Sequence, residues 1–303
     1  MPCYHPLQGY RARFRNPNGK RPIVFNIKDG YKDMPVTLPC GQCIGCRLEK
    51  SRQWAIRCVH EASLYEDNIF LTLTYDEDNL PFGGTLVKKD FQDFIKRLRS
   101  RFSNQKIKYF HCGEYGEQFG RPHYHAIIFN LGFQDKELYK KTKTGTLYTA
   151  PVLDSLWPFG LATFGAVTFE SCAYTARYVL KKVTGENAEK HYQKIDHETG
   201  EITQRLPEYV TMSLKPAIGK LFFNKYHTDI FPNDFVIMRG KKMKPPKYYQ
   251  SLHELTDPDV INQIKLNRIK KSVPHKADAT PRRLADREIC KKSQIKQLKR
   301  TLE

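Results

Sequence analysis

Apolar and polar positions alternate along this chain in ways that mark out its elements. Between Arg47 and Tyr65, Leu48, Trp54, Ile56, Val59, Ala62 and Leu64 recur at helical steps among charged residues, which predicts an amphipathic helix. Ile69 to Tyr75 is dense in β-branched and aromatic residues and runs into Asp76-Glu-Asp-Asn79, predicting a strand and then a loop. Val87, Phe91, Phe94, Ile95, Leu98 and Phe102 predict a second helix, with Lys96, Arg97, Arg99 and Arg101 on its other side. Lys106 to Cys112 and His123 to Phe129 read as two strands of a hairpin, joined by the glycine-rich stretch Gly113 to Gly120. A strand is expected over Ala162 to Phe169. A helix is expected over Ser171 to Val183, capped by Ser171 and stopped at Gly185, followed by a polar loop from Thr184 to Gln204. This order of elements predicts an α+β fold, a central antiparallel sheet flanked by helices.

Composition narrows the partner. The 303 residues are 40% hydrophobic and 12% aromatic, enough for a core, so wholesale disorder is excluded. Runs such as Ile69 to Thr74 are far short of the roughly 20 apolar residues of a membrane-spanning helix. The start, MPCYHPLQGY, lacks a secretory signature, which predicts a cytoplasmic protein whose cysteines are thiols or metal ligands. Lys and Arg number 51 against 32 Asp and Glu, a net +19 that implies a polyanionic partner. From Lys241 to Glu303 there are 17 Lys and Arg against 7 Asp and Glu, so more than half of the excess is C-terminal. Such a segment either holds phosphates without reading sequence or is a solvated end.

Three of the eight cysteines form Cys40-Gly-Gln-Cys43-Ile-Gly-Cys46. Two successive C-x-x-C steps, with Gly41 and Gly45 permitting tight turns, can aim several thiolates at one cation, as a structural zinc site requires. Cys3 is the natural fourth ligand, with His5 and Cys58 as substitutes. An iron–sulfur cluster stays open, because thiolate spacing does not choose the metal. Reduced structural cysteines in a turn before a helix are the plain alternative.

His123-Tyr124-His125 places two imidazoles on the same face of a strand. Glu114, nine positions earlier across the hairpin, can complete a set of two histidines and one carboxylate that leaves coordination positions open; Glu117 in the turn is the reserve. Tyr174 and Tyr178 are an i, i+4 pair on the predicted helix, with Lys181 and Lys182 one turn further on. Two phenols near cations suit attack on an electrophile that a metal has polarised, and otherwise suit a packed core.

Phe70-Leu-Thr-Leu-Thr-Tyr75, Gly113-Glu-Tyr-Gly with Arg121-Pro-His-Tyr-His125, and Tyr174-x-x-x-Tyr178-x-x-Lys181 occur in the order of the three motifs of the HUH endonucleases, and the chain resembles that family. With the MPCYHP and PCGQCIGCR segments included, it resembles the rolling-circle replication initiators of gokushovirus-like (Microviridae) single-stranded DNA phages. The middle position of the family's His pair is usually bulky and hydrophobic, which Tyr124 meets in part. The resemblance implies an HUH fold. It implies that His123, His125 and Glu114 hold Mg²⁺ or Mn²⁺, with Tyr178 the first nucleophile and Tyr174 the second. Lys181, Lys182 and Arg121 are the cations expected near the reacting phosphate. The implied product is a 5′-phosphotyrosine with a 3′-OH that primes synthesis on circular phage DNA, in the cytoplasm of a bacterial host. No Walker-type G-x-x-x-x-G-K-[ST] motif is present, so a host helicase, and a host DNA polymerase, are expected partners. The implied organisation is a Cys-rich segment over 1–46, the endonuclease domain over 47–190, an accessory segment over 191–240 and a basic tail over 241–303. Competing readings are a non-catalytic zinc-containing nucleic-acid-binding protein and an HUH transposase or relaxase.

Overall fold

In a computed structural model, the described residues are 3–297 apart from 18, 117–118, 143–144, 178–182, 184–187 and 196–199. Seven strands form one antiparallel sheet: β4 (Asn68–Thr74), β5 (Lys108–Tyr115), β6 (Pro122–Phe129), β7 (Glu137–Thr142), β8 (Gly145–Thr149), β9 (Ala162–Ala166) and β12 (Tyr209–Met212). Their spatial order is β12-β5-β6-β4-β9-β8-β7. Strand β6 shows why the sheet is covered on both sides. Successive strand residues point to opposite faces, and beyond His125 the run Ala126 to Phe129 is apolar on each of them, so neither can be left in water.

On one face Leu71, Leu73, Tyr124, Ala126 and Ile128 pack with Phe91, Phe94, Ile95 and Leu98 of α2 (Lys88–Arg101) and Leu153 and Leu156 of α3 (Pro151–Leu156). On the other, Phe70, Phe110, Ile127 and Phe129 meet Ala55 and Cys58 of α1 (Ile44–Ala62) and Cys172 and Ala176 of α4 (Phe169–Arg177). Trp54 of α1, its ring centroid 5.0 Å from that of Phe110, and Phe169 and Tyr174 of α4 pack around these small residues. Each fully buried large apolar side chain contributes about 1.5–3 kcal/mol. The protein is therefore α+β, a large antiparallel sheet flanked by helices, as the pattern predicts.

Helix α1 is also buried on its far side. Ile56 joins Phe223 of α6 (Lys220–Ile230), Tyr249 of α7 (Lys247–Thr256) and Ile261 and Ile264 of α8 (Pro258–Ser272). Its Glu61 carboxylate is fully buried, 2.5 Å from Lys108 Nζ, and accepts the Gly219 N–H at 2.6 Å. These two contacts tie the helix to β5 and to the backbone at Gly219.

These elements belong to a unit built on Ser51–Lys265. A second unit comprises Met1–Lys50 with Leu266–Arg300. It holds a small antiparallel sheet of β1 (Leu7–Ala12), β2 (Ile23–Val24) and β3 (Gly30–Leu38), in the order β2-β1-β3, and α9 (Pro281–Lys296).

Several expectations shift. Strand pairing continues into the expected turn, to Tyr115 on β5 and from Pro122 on β6. Thr168, not Ser171, begins α4: the two exchange side-chain bonds, Thr168 N–H to Ser171 Oγ at 2.8 Å and Ser171 N–H to Thr168 Oγ1 at 3.1 Å, the reciprocal pattern of a capping box. Within the expected loop 184–204 lie α5 (Ala188–Tyr192) and the strand pair β10 (Gln193–Ile195) and β11 (Ile202–Gln204). The basic stretch from Lys241 is mostly helical where described, opening with β14 (Lys241–Met243) against β13 (Val236–Met238).

Candidate functional site

The register of three strands builds the site. Glu114 on β5 stands directly opposite His123 on β6, and His125 stands opposite Thr72 on β4. All four side chains share the face that carries Phe70 and Ile127, because each lies an even number of residues from that pair across the ladder. Glu114 Oε1 lies 2.8 Å from His123 Nε2 and 3.0 Å from His125 Nε2. Burial by itself raises the Glu114 pKa, but the hydrogen bonds to His123 and His125 outweigh it and bring the carboxyl down to about 2.

The remaining ring nitrogens are oriented from behind. His123 Nδ1 is 3.2 Å from the Arg121 carbonyl oxygen, which only accepts, so Nδ1 donates there and Nε2 is the ring atom that faces Glu114. His125 Nδ1 is 3.0 Å from Thr72 Oγ1, whose hydroxyl either donates or accepts. The three ligand atoms lie within 4.8 Å of one another. Two imidazole nitrogens and a carboxylate converging on one point fit a divalent cation with open positions, the cation taking the place of the protons that now bridge them, and each ring is held by an outer partner.

Tyr124, between the two histidines, is wholly buried on the other face. Its hydroxyl donates to the Val87 carbonyl at 2.8 Å and accepts the Val87 N–H at 3.0 Å. The bulky middle position is thereby filled by a tyrosine whose polar tip is satisfied, and that anchor holds the strand so that both imidazoles face the metal side.

Tyr174 of α4 meets the site edge-on, its ring centroid 5.1 Å from that of His125, with Arg177 5.7 Å from the Tyr174 ring. Tyr178, Lys181, Lys182 and Glu117 lie outside the described residues. Arg121, expected near a phosphate, pairs with Glu77 and donates to the Tyr75 carbonyl at 3.0 Å. Thr72 was not singled out by sequence reasoning. Its signal was there: it alternates with Phe70 and Thr74 on a strand already recognised.

The second group is Cys3, Cys40, Cys43 and Cys46, whose sulfurs also lie within 4.8 Å of one another. Cys43 Sγ is 3.9 Å from Cys3 Sγ, against ~3.8 Å for two thiolates on a tetrahedral zinc with ~2.3 Å bonds. Backbone N–H groups point at the sulfurs: Tyr4 to Cys43 at 3.3 Å, Cys40 to Cys3 at 3.2 Å and Cys43 to Cys40 at 3.3 Å. Burial raises the Cys43 thiol, but the N–H groups of Tyr4 and Cys46 outweigh it and bring it down to about 6. The turn is made by Gly41, at φ +77°, while Gly45 is already in α1. Of the substitute ligands, His5 pairs with Glu288 at 2.6 Å and Cys58 is buried beside Cys172 in the core over α4. Tyr4, Cys43 and Leu284 form the small core around the four cysteines.

A family model described as replication-associated protein ORF2/G2P matches residues 68–183, the stretch that carries Thr72, Glu114, His123, His125 and Tyr174. The chain is 35% identical over 269 residues to "Replication-associated protein VP4" of Bdellovibrio phage phiMH2K, covering 86% of this chain and 79% of that protein. The chain belongs to the phage replication-associated protein family. A second member, "Replication-associated protein ORF2" of Spiroplasma virus 4, is 31% identical over 89% of this chain and 86% of its own length. "Replication-associated protein ORF4" of Chlamydia phage 1 is 30% identical over 74% of this chain and 56% of that protein. No solved structure matches this family member. Among the described residues, no helix is long and apolar enough to cross a membrane.

Proposed function

We propose that this replication-associated protein is an HUH-type replication initiator, which nicks one strand of phage DNA at the origin and later rejoins the displaced strand into a circle. The observation that carries the reading is the convergence of Glu114 Oε1 with His123 Nε2 at 2.8 Å and His125 Nε2 at 3.0 Å, with Tyr174 against the His125 ring. A purely structural pair of histidines has no need of a buried carboxylate held anionic between them.

In this reading His123, His125 and Glu114 hold Mg²⁺ or Mn²⁺, which when bound polarises the scissile phosphate and stabilises charge on the departing 3′ oxygen. Tyr178 gives up its phenol proton to solvent as its oxygen bonds to phosphorus. The P–O3′ bond breaks, its electron pair stays on the 3′ oxygen, and that oxygen takes a proton from solvent. The products are a 5′-phosphotyrosine and a free 3′-OH. The ester keeps the energy of the broken phosphodiester, so the strand is rejoined without ATP. Tyr174 is the second nucleophile, which cuts the regenerated origin while Tyr178 still carries the first end. Lys181 and Lys182 neutralise phosphate charge.

Cys3, Cys40, Cys43 and Cys46 hold a structural zinc. Residues 47–190 form the endonuclease domain, with the Cys-rich segment before it and basic segments after it that retain the strand. The protein works in the host cytoplasm with a host helicase and DNA polymerase. The test is incubation with supercoiled circles carrying the origin. Conversion to nicked circles with protein on the 5′ end, dependent on Mg²⁺ or Mn²⁺ and lost in Tyr174→Phe/Tyr178→Phe, is the expected result. Nicking by the double variant contradicts the mechanism.

A further inference from the structure

The Met1–Lys50 part of the second unit carries charge and aromatic surface that the proposed chemistry does not use. Residues 7–38 contain seven Lys and Arg against two Asp. Along β1 and into the turn after it, Ala12 is buried while Arg11, Arg13 and Arg15 are exposed. The arginines are held by main-chain oxygens. Arg13 Nε donates to the Gly30 carbonyl at 3.1 Å, Arg15 Nη1 to Gly19 at 2.7 Å, Arg21 Nη1 to Ala12 at 3.1 Å and Arg11 Nη1 to Arg21 at 3.4 Å. Among the described residues none of the four pairs with a carboxylate. Their positions are fixed and their charge is left uncompensated.

Two aromatic rings of the same stretch of chain stand in water. Phe14 is 57% exposed between Arg13 and Arg15, and Phe25, directly after β2, is 61% exposed. A ring left in water costs free energy unless something covers it. Fixed guanidinium forks suit phosphate oxygens, and open ring faces suit unpaired bases. We infer that the β1–β2 hairpin binds single-stranded DNA, with Arg11, Arg13, Arg15 and Arg21 on the phosphates and Phe14 and Phe25 stacking on bases. The choice of DNA as the polymer rests on the function proposed above. The hairpin is a strand-holding surface that includes none of the metal-ligand residues, and it adds affinity without reading sequence.

The test uses the full chain, without chelator or added divalent metal, and a fluorescein-labelled 30-nucleotide thymidine strand, read by anisotropy over a range of salt. Arg11→Gln/Arg15→Gln should reduce the slope of log K against log salt by about 1.4, since each phosphate contact on a single strand contributes ~0.7. The slope should return in Arg11→Lys/Arg15→Lys. Phe14→Ala/Phe25→Ala should weaken single-strand binding about tenfold or more with the slope kept and duplex binding unchanged. Wild-type affinity in both the Gln and the Ala variants overturns the inference. So does a loss seen only on anionic phospholipid vesicles. Metal-dependent cleavage of an origin strand, measured in parallel, separates the two levels: a wild type that cleaves while the hairpin variants bind unchanged removes only the hairpin. A wild type that neither binds nor cleaves DNA removes the proposed function, and this inference with it.

Discussion

Thr72 Oγ1 lies 3.0 Å from His125 Nδ1, and this contact turns the imidazole so that Nε2 faces Glu114 at 3.0 Å. Outer partners of this kind set ring orientation and ligand basicity, and losing one costs about 10–100-fold in metal affinity or activity. Thr72→Val keeps the shape and removes the hydroxyl. The Mn²⁺ concentration giving half-maximal cleavage should rise about tenfold or more, while the rate at saturating Mn²⁺ stays near wild type. Thr72→Ser should restore the wild-type midpoint. An unchanged midpoint in Thr72→Val assigns the hydroxyl no part in holding His125.

Tyr124 gives the matching prediction on the other face of the strand. In Tyr124→Phe the half-buried Val87 N–H loses its bond to the hydroxyl, the Val87 carbonyl loses that donor and keeps the Asp90 N–H, and the buried Tyr75 hydroxyl loses its 2.8 Å bond to Tyr124. Leaving buried polar groups unsatisfied costs about 1–3 kcal/mol. Urea unfolding should show a loss in that range.

The site was legible in the sequence to the extent that its periodicity was. His123 and His125 are two apart, so a strand puts them on one face whatever follows. Glu114 is nine positions before His123, and the glycine-rich stretch between them marks a turn, so the pairing could be anticipated though not its register. Cys3 was nominated by its odd setting and is the cysteine that joins Cys40, Cys43 and Cys46. What could not be read has physical causes. Strands β10 and β11 are three residues each and almost wholly exposed, so they carry no apolar alternation. The C-terminal third hides its core contribution under charge: Tyr249 sits in a lysine-rich stretch yet is fully buried, against His60 of α1.

His60 gives a pH prediction. It is buried, stacked 3.8 Å from Phe222, with Nδ1 3.0 Å from the Tyr249 hydroxyl, and burial lowers its pKa to about 4 from the ordinary 6.5. Between those values the unfolded chain binds a proton that the folded chain refuses, so stability falls as pH falls from 6.5 toward 4. By pH 5 the loss from this group is about 2 kcal/mol. Comparing urea midpoints at pH 7.5 and pH 5 for wild type and His60→Asn isolates it. The variant should lose less on acidification by about that amount, and an equal loss in both removes His60 as the cause.

The four cysteines predict metal-dependent order in their own unit. Purified protein should contain about one zinc per chain, and Cys40→Ser/Cys43→Ser/Cys46→Ser should contain none. Limited proteolysis after chelation should expose sites within Met1–Lys50 and Leu266–Arg300, while the seven-stranded sheet stays protected, because its core has no cysteine–metal contribution. Equal zinc in wild type and variant contradicts the site.

The central claim is that a tyrosine of this chain becomes covalently joined to DNA. The most direct measurement is mass spectrometry of the protease digest after reaction with a single-stranded origin oligonucleotide and Mn²⁺. The account predicts a nucleotide adduct on the peptide carrying Tyr178, absent in His123→Ala and moved to Tyr174 in Tyr178→Phe. Cleaved DNA with free 5′ ends and no adduct on either tyrosine would contradict it.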